Sequence, residues 1–254
     1  LSCGSCHMIA SSGVVAEAPG LEVPRREFGV REHTFAAVDT ALIDWPGKAL
    51  QQAAIDRDLA GLIVARLCVL PVDGGRIDYR LDDVGAGHMF PSGATVDRRA
   101  WAEIVAYEGD TVVFSSGVVP VGGEELDPEE FGDPNLWMLK TDARDAAGTP
   151  TDRFWRIATL DHPGSLLQPA VTTDPQDPRF YHAVERSFPV PGLVGRITRV
   201  TARVQLRPIR MGLVDELLTS GHLTVDLRPQ IPTHTVASSV LEWTAATSTS
   251  GCVQ

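Results

Sequence analysis

Aromatic residues are scarce in this chain, at 6% of 254 residues. Basic residues are outnumbered as well, 22 Lys and Arg against 33 Asp and Glu, which leaves a net charge of −11. A general nucleic-acid binder needs a basic face for phosphates, and an anionic membrane surface selects the same charge. The composition argues against both classes and leaves docking to a basic protein open. No uninterrupted apolar run reaches the ~18 residues of a membrane-spanning helix. Leu59–Val72 comes nearest, and Arg66 and Pro71 break it. With 23 Gly and 18 Pro, long helices cannot dominate. What remains is a globular composition, 43% hydrophobic, in a chain long enough to bury roughly 70–75% of its unfolded surface.

Only four cysteines are present, Cys3, Cys6, Cys68 and Cys252. The first two belong to Cys3-Gly4-Ser5-Cys6-His7, a CxxCH string read as a c-type haem attachment site. Two thiols add across two vinyl groups on one porphyrin edge, and the following histidine reaches the iron. A dithiol redox motif or half of a zinc site are the alternatives. A thioredoxin-like CxxC should follow a strand, and only Leu1 and Ser2 precede this one. A zinc site needs two further donors nearby, and the next cysteine is Cys68. Haem attachment of this kind takes place outside the cytoplasm, so an exported protein is expected, periplasmic or at the cell surface. No signal peptide precedes the motif, which suggests a processed or truncated product. In an oxidising compartment Cys68 and Cys252 are expected to pair as a disulfide, with two buried free thiols as the alternative.

The chain divides by pattern into residues 1–61, 62–243 and 244–254. Residues 1–34 read as irregular, haem-wrapping chain, and Lys48–Leu59 as a helix ended by Gly61. From Leu62 onward short β-prone runs alternate with Gly/Pro turns: Leu62–Pro71, Arg76–Leu81, Ala100–Tyr107, Thr111–Ser115, Leu136–Lys140, Phe154–Ala158 and Val194–Leu206. Asp73-Gly74-Gly75 and Glu108-Gly109-Asp110 supply hairpin turns. In the last run Val200, Ala202, Val204 and Leu206 alternate with polar neighbours. Met211–Ser220 reads as a short helix, Glu124–Asp133 as a solvated acidic loop, and 244–254 as a polar tail. The expected class is mainly β, a β-sandwich carrying a small irregular or helical haem segment.

Three motifs resemble multihaem c-type cytochromes with a C-terminal β-rich domain. They are Cys3-Gly4-Ser5-Cys6-His7-Met8, Arg31-Glu32-His33-Thr34-Phe35 and Gly87-His88-Met89-Phe90-Pro91-Ser92-Gly93, the last similar to a GHxFPTG signature. Arg98-Arg99-Ala100-Trp101 and Val113–Gly117 look like the strand pair that follows it. The resemblance implies covalent haem c held by Cys3, Cys6 and His7, with other cytochrome domains, haem chains or redox proteins as partners. It also implies an iron-binding role for His33, the first candidate for the second axial ligand. His88, held in a turn by Gly87, Pro91 and Gly93, is the other candidate, for this haem or one from a neighbouring domain. Bis-histidine iron would carry one electron and leave no position for substrate.

Electron transfer is therefore the leading expectation. The alternatives are a haem enzyme subunit with an open sixth position and a β-domain assembly module of a larger multihaem complex. No GxSxG, P-loop or dinucleotide fingerprint and no obvious pair of catalytic carboxylates supports an enzyme. Structural calcium in the acidic loops is the one further metal the composition permits.

Overall fold

The computed structural model describes residues 3–8, 10–14, 16, 19–20, 22–31, 37–161, 164–246 and 251–254. His33 and His162 lie outside them. The chain opens with a one-turn helix, α1 (Cys3–His7), and a hairpin of β1 (Ala10–Val14) and β2 (Arg25–Arg31). The expectation of irregular chain over 1–34 is corrected here. Arg31 donates to the Met8 carbonyl at 3.1 Å and ties the hairpin to the end of α1.

Helix α2 spans Lys48–Leu59, as its breaker-free sequence predicts, and buries Ala54, Ile55 and Leu59. It ends on Ala60 in right-handed geometry, so Gly61 supplies no left-handed cap. Then β3 (Ile63–Leu70) and β4 (Arg76–Asp83) pair antiparallel, with Leu67 opposite Tyr79. Both alternate as half-buried strands should: Ile63, Ala65, Leu67 and Val69 face the core with Ile77, Tyr79 and Leu81. The Asp73-Gly74-Gly75 turn is present, with all three residues at positive φ.

Next come β5 (Arg99–Glu108), β6 (Thr111–Ser116), β7 (Trp137–Leu139), β8 (Asp142–Arg144) and β9 (Thr159–Asp161). The expected strand over Phe154–Ala158 is a single 3-10 turn at Phe154–Arg156 instead. After β10 (Val184–Pro189) and β11 (Arg199–Arg207) the chain forms α3 (Met211–Thr219), β12 (His234–Thr244) and β13 (Cys252–Val253).

The fold is mainly β, and the pairings between the named strands are antiparallel. One sheet runs β10-β4-β3-β13, and another runs β12-β11-β5-β6 with β7 also on β5. A single core joins them. Leu67, Tyr79 and Leu81 of the first sheet meet Ala102, Ile104, Val204 and Val236 of the second, with Ile55 and Leu59 of α2 at one end. The expected disulfide is present between Cys68 and Cys252, and it fastens β13 to β3.

The acidic stretch Glu124–Asp133 is exposed at Glu124, Glu125 and Glu130 as expected, but two of its aspartates hold structure. Asp127 is 5% exposed and accepts from the Met211 and Gly212 amides at 3.1 and 3.2 Å, which caps α3. Asp133 accepts from Ser116 Oγ and the Gly117 amide at 2.8 and 2.7 Å.

Candidate functional site

A cleft of about 220 Å³ opens where α1, α2 and the loop after β4 converge. Its walls are apolar, supplied by Val38, Ile55, Leu59, Leu62, Phe90 and Leu206. The residues 84–91 that form one side are held at both ends. Asp83 accepts from the Ala86 amide at 3.1 Å, and the Val84 and Gly85 amides donate to the Leu62 carbonyl at 3.2 and 3.0 Å. Gly85 is required there, because a Cβ would sit 2.3 Å from the Gly61 carbonyl oxygen. At the other end Phe90 and Leu167 exchange backbone hydrogen bonds of 3.0 and 2.9 Å, and the Phe90–Pro91 bond is cis.

This anchored loop presents His88 at the cleft mouth. Its Nδ1 lies 3.1 Å from the Met89 carbonyl. A carbonyl can only accept, so Nδ1 is the donor in that contact. His7, at the end of α1, lines the same cleft, and its Nδ1 is 4.0 Å from Asp58 Oδ2 on α2. The His7 and His88 rings are parallel within 2°, with centroids 6.3 Å apart. That is wider than the ~3.5 Å of direct contact between stacked atoms.

Two charged features flank the cleft. Arg98, only 7% exposed, donates to the Ser92 carbonyl at 2.6 Å and to Asp39 Oδ2 at 2.5 Å. Asp83, at 1% exposure, has one carboxylate oxygen without a hydrogen-bond partner. Burial pushes its pKa up to about 6, against the opposing pull of the Ala86 amide, His88 and His182. His182 itself lies 2.8 Å from Asp82 Oδ1.

The structure thus brings together two of the sequence-derived residues, His7 and His88. Cys3 is exposed and free on α1. Asp58, Arg98 and Asp39 were not singled out as site residues from sequence. The i, i+4 apolar pair Ile55 and Leu59 is the one sequence signal that α2 packs there. Met138, on β7, lies away from the cleft, as a packing residue should. Among the described residues no cluster of three or more His, Cys, Asp or Glu side chains is arranged for a metal ion, so a calcium site finds no support.

No protein-family model and no curated protein matches the chain. Among solved structures it is similar to a penta-heme cytochrome c552 from Thermochromatium tepidum, with a TM-score of 0.51 and 16% identity. The match covers 74% of this chain and 41% of the cytochrome, so this chain spans about two fifths of that protein's length. At that identity the likeness is one of fold.

These findings correct the haem expectations. A multihaem c-type cytochrome needs two thiols for every haem. Of the four cysteines, Cys68 and Cys252 are consumed by a disulfide with each other, so this chain is not a multihaem cytochrome. The CxxCH string stands in the sequence, but the cysteine pair the structure joins is a different one. Covalently attached haem c, and one-electron transfer through it with bis-histidine ligation, are therefore withdrawn as the reading of this chain.

Proposed function

We propose that this chain is the β-rich assembly module of a larger redox complex and docks through the face that carries His7 and His88. The observation that carries the reading is the parallel pair of imidazoles, 6.3 Å apart at the mouth of an apolar cleft. Two nitrogens alone hold a bare ion poorly. The pair therefore reads as part of a docking face that the partner completes. The likeness in fold to part of a penta-heme cytochrome supports a redox setting.

On this reading the two sheets form a sandwich over residues 62–243. Residues 1–61 carry His7 and close the cleft, and 244–254 clip the sandwich edge. His33 is the other sequence-derived candidate; the pair proposed here is His7 with His88. The disulfide supports an exported location, since such bonds persist in oxidising compartments. Among the described residues no helix is long and apolar enough to cross a membrane, which fits a partner met in solution.

His7→Ala and His88→Ala should each lower the share of the chain recovered at high mass in light scattering; assembly at the wild-type level in both variants overturns the assignment. Light scattering of native material should give a mass well above 27.3 kDa; a lone monomer overturns the assembly role.

A further inference from the structure

His182 lies just before β10, where the ladder of that strand with β4 stops. The last pair is Val184 opposite Leu81, and the same register continued sets His182 opposite Asp83. Its side chain, 11% exposed, stands between three oxygens. Nδ1 is 3.1 Å from the Phe180 carbonyl, and Nε2 is 3.2 Å from the Asp83 carbonyl and 2.8 Å from Asp82 Oδ1. Among the described residues Asp82 Oδ1 makes no hydrogen bond, so its contact with the ring is one of charge. A carbonyl can only accept, so both nitrogens donate and the ring is the imidazolium. A neutral ring has a single N–H. Whichever proton leaves, a lone pair then faces oxygen, at Phe180 on one side or at Asp82 and Asp83 on the other.

The residue that Nε2 meets is the last of β4, where the loop carrying His88 begins. The Asp83 carbonyl also accepts from the Ala170 amide at 3.0 Å, and its carboxylate accepts from the Ala86 amide at 3.1 Å. The second carboxylate oxygen is buried with no hydrogen-bond partner among the described residues. Burial pushes this carboxyl up to about 6; the Ala86 amide, His88 and His182 pull against the rise, and Asp82 adds to it. Other charged groups nearby are engaged elsewhere. Arg179 is held by Asp177 at 2.6 Å, Arg186 donates to the Leu136 carbonyl at 3.0 Å, and Glu185 lies opposite Arg80 in the ladder. A buried carboxylate that loses its countercharge is costly, and water relieves the cost only where the cover over it lifts.

We propose that His182 is a pH-operated latch on the root of the His88 loop. Charged, it fastens residues 178–183 over Asp83. As pH rises through the histidine range the ring keeps one N–H, and the countercharge over Asp83 is lost. The cover then lifts far enough for water to reach the Asp83 carboxylate. The other ties of the loop, from the Val84 and Gly85 amides to Leu62 and between Phe90 and Leu167, are backbone bonds that do not titrate. The root therefore loosens while the loop keeps its place. The latch stands on these contacts whether or not the face with His88 docks a partner.

The test uses the intact chain. Proton–nitrogen correlation spectra should show both His182 ring nitrogens protonated at about pH 5.5 and one of them bare at about pH 8.5. Amide exchange, corrected for its intrinsic pH dependence, is followed from about pH 6.5 to about pH 8.5, where Asp83 is already ionised. It should rise about three- to tenfold at Ala86 and Ala170, and stay level at Leu167, whose amide is bonded to Phe90. His182→Gln carries no charge at any pH and should show the raised exchange across the whole window. Asp82→Asn should move the transition to lower pH. If His182→Gln does not fold, the wild-type spectra and Asp82→Asn decide. The proposal falls if the ring is neutral at about pH 5.5, or if it titrates with Ala86 and Ala170 unmoved. It falls equally if His182→Gln keeps the wild-type pH dependence, or if Asp82→Asn leaves the transition in place.

Discussion

Tyr79 shows how much one buried polar atom can decide. Its ring is fully buried in the shared core, and its hydroxyl donates to the Ser239 carbonyl at 2.5 Å across the two sheets. Burial pushes the phenol pKa upward, so the neutral donor is the form that fits. Tyr79→Phe strands the carbonyl without its partner and should cost about 1–3 kcal/mol in urea denaturation. Asp83 acts in the opposite sense. Its folded pKa of about 6 stands above the ordinary 3.8 because burial penalises the charge. The unfolded carboxyl therefore loses its proton first as pH rises. Stability falls between roughly pH 4 and pH 6 and levels off above, by at most about 3 kcal/mol for a shift of this size. Asp83→Asn keeps an oxygen for the Ala86 amide and removes the titration. Its stability relative to wild type should rise across that window, measured by denaturation at pH 4, 5, 6 and 7.

At the level of elements, the best legible parts are those whose local pattern is unbroken. Helix α2 runs from Lys48 to Leu59 because nothing within it resists helix, and β11 follows its alternation through Val200, Ala202, Val204 and Leu206. Strand β12 escapes the same reading. A register irregularity opposite Ala202 and Val204 shifts its phase around Ser238 and Ser239, and a period of two no longer holds across the strand. Those serines serve the break: Ser239 Oγ accepts from the Val204 amide at 2.8 Å, and Ser238 Oγ from the Ile63 amide at 3.1 Å. The acidic segment Glu124–Asp133 misleads for a related reason. Charge suggests solvent, whereas Asp127 caps α3 and faces Arg207, which is 2% exposed over the Trp101 ring at 5.4 Å. Burial lowers the Arg207 pKa, and Asp127 leads the acidic groups that oppose the change. Asp127→Ala removes both the cap and the countercharge. A loss of about 3–5 kcal/mol is expected, read from the urea midpoint.

On the scale of the whole molecule, two sheets and one helix share a core, and a disulfide joins distant parts of the sequence. A cross-link over 184 residues restricts the unfolded chain strongly, by at most about 5 kcal/mol in the chain-entropy picture. Replacing both cysteines by serine should lower stability by about 2–4 kcal/mol while leaving the core folded, as near-UV circular dichroism would show. The net charge of −11 favours a basic partner, and association should weaken as salt rises.

By itself, the sequence determined the β-rich class, α2 and the principal hairpins, and it nominated Cys68 and Cys252 as a pair. These rest on local periodicity, turn chemistry or the scarcity of a residue type, which neighbours in sequence suffice to express, whereas His7 and His88 stood out through the CxxCH string and a family resemblance. Only the tertiary structure decided that α1 and the loop after β4 meet at one cleft with parallel imidazoles. It also decided that Asp58 and Arg98 flank that cleft, and that Arg66 lies against a disulfide closing 184 residues. These juxtapositions join segments far apart in sequence. They form because two sheets and α2 must bury one apolar core together, a condition that no local pattern encodes.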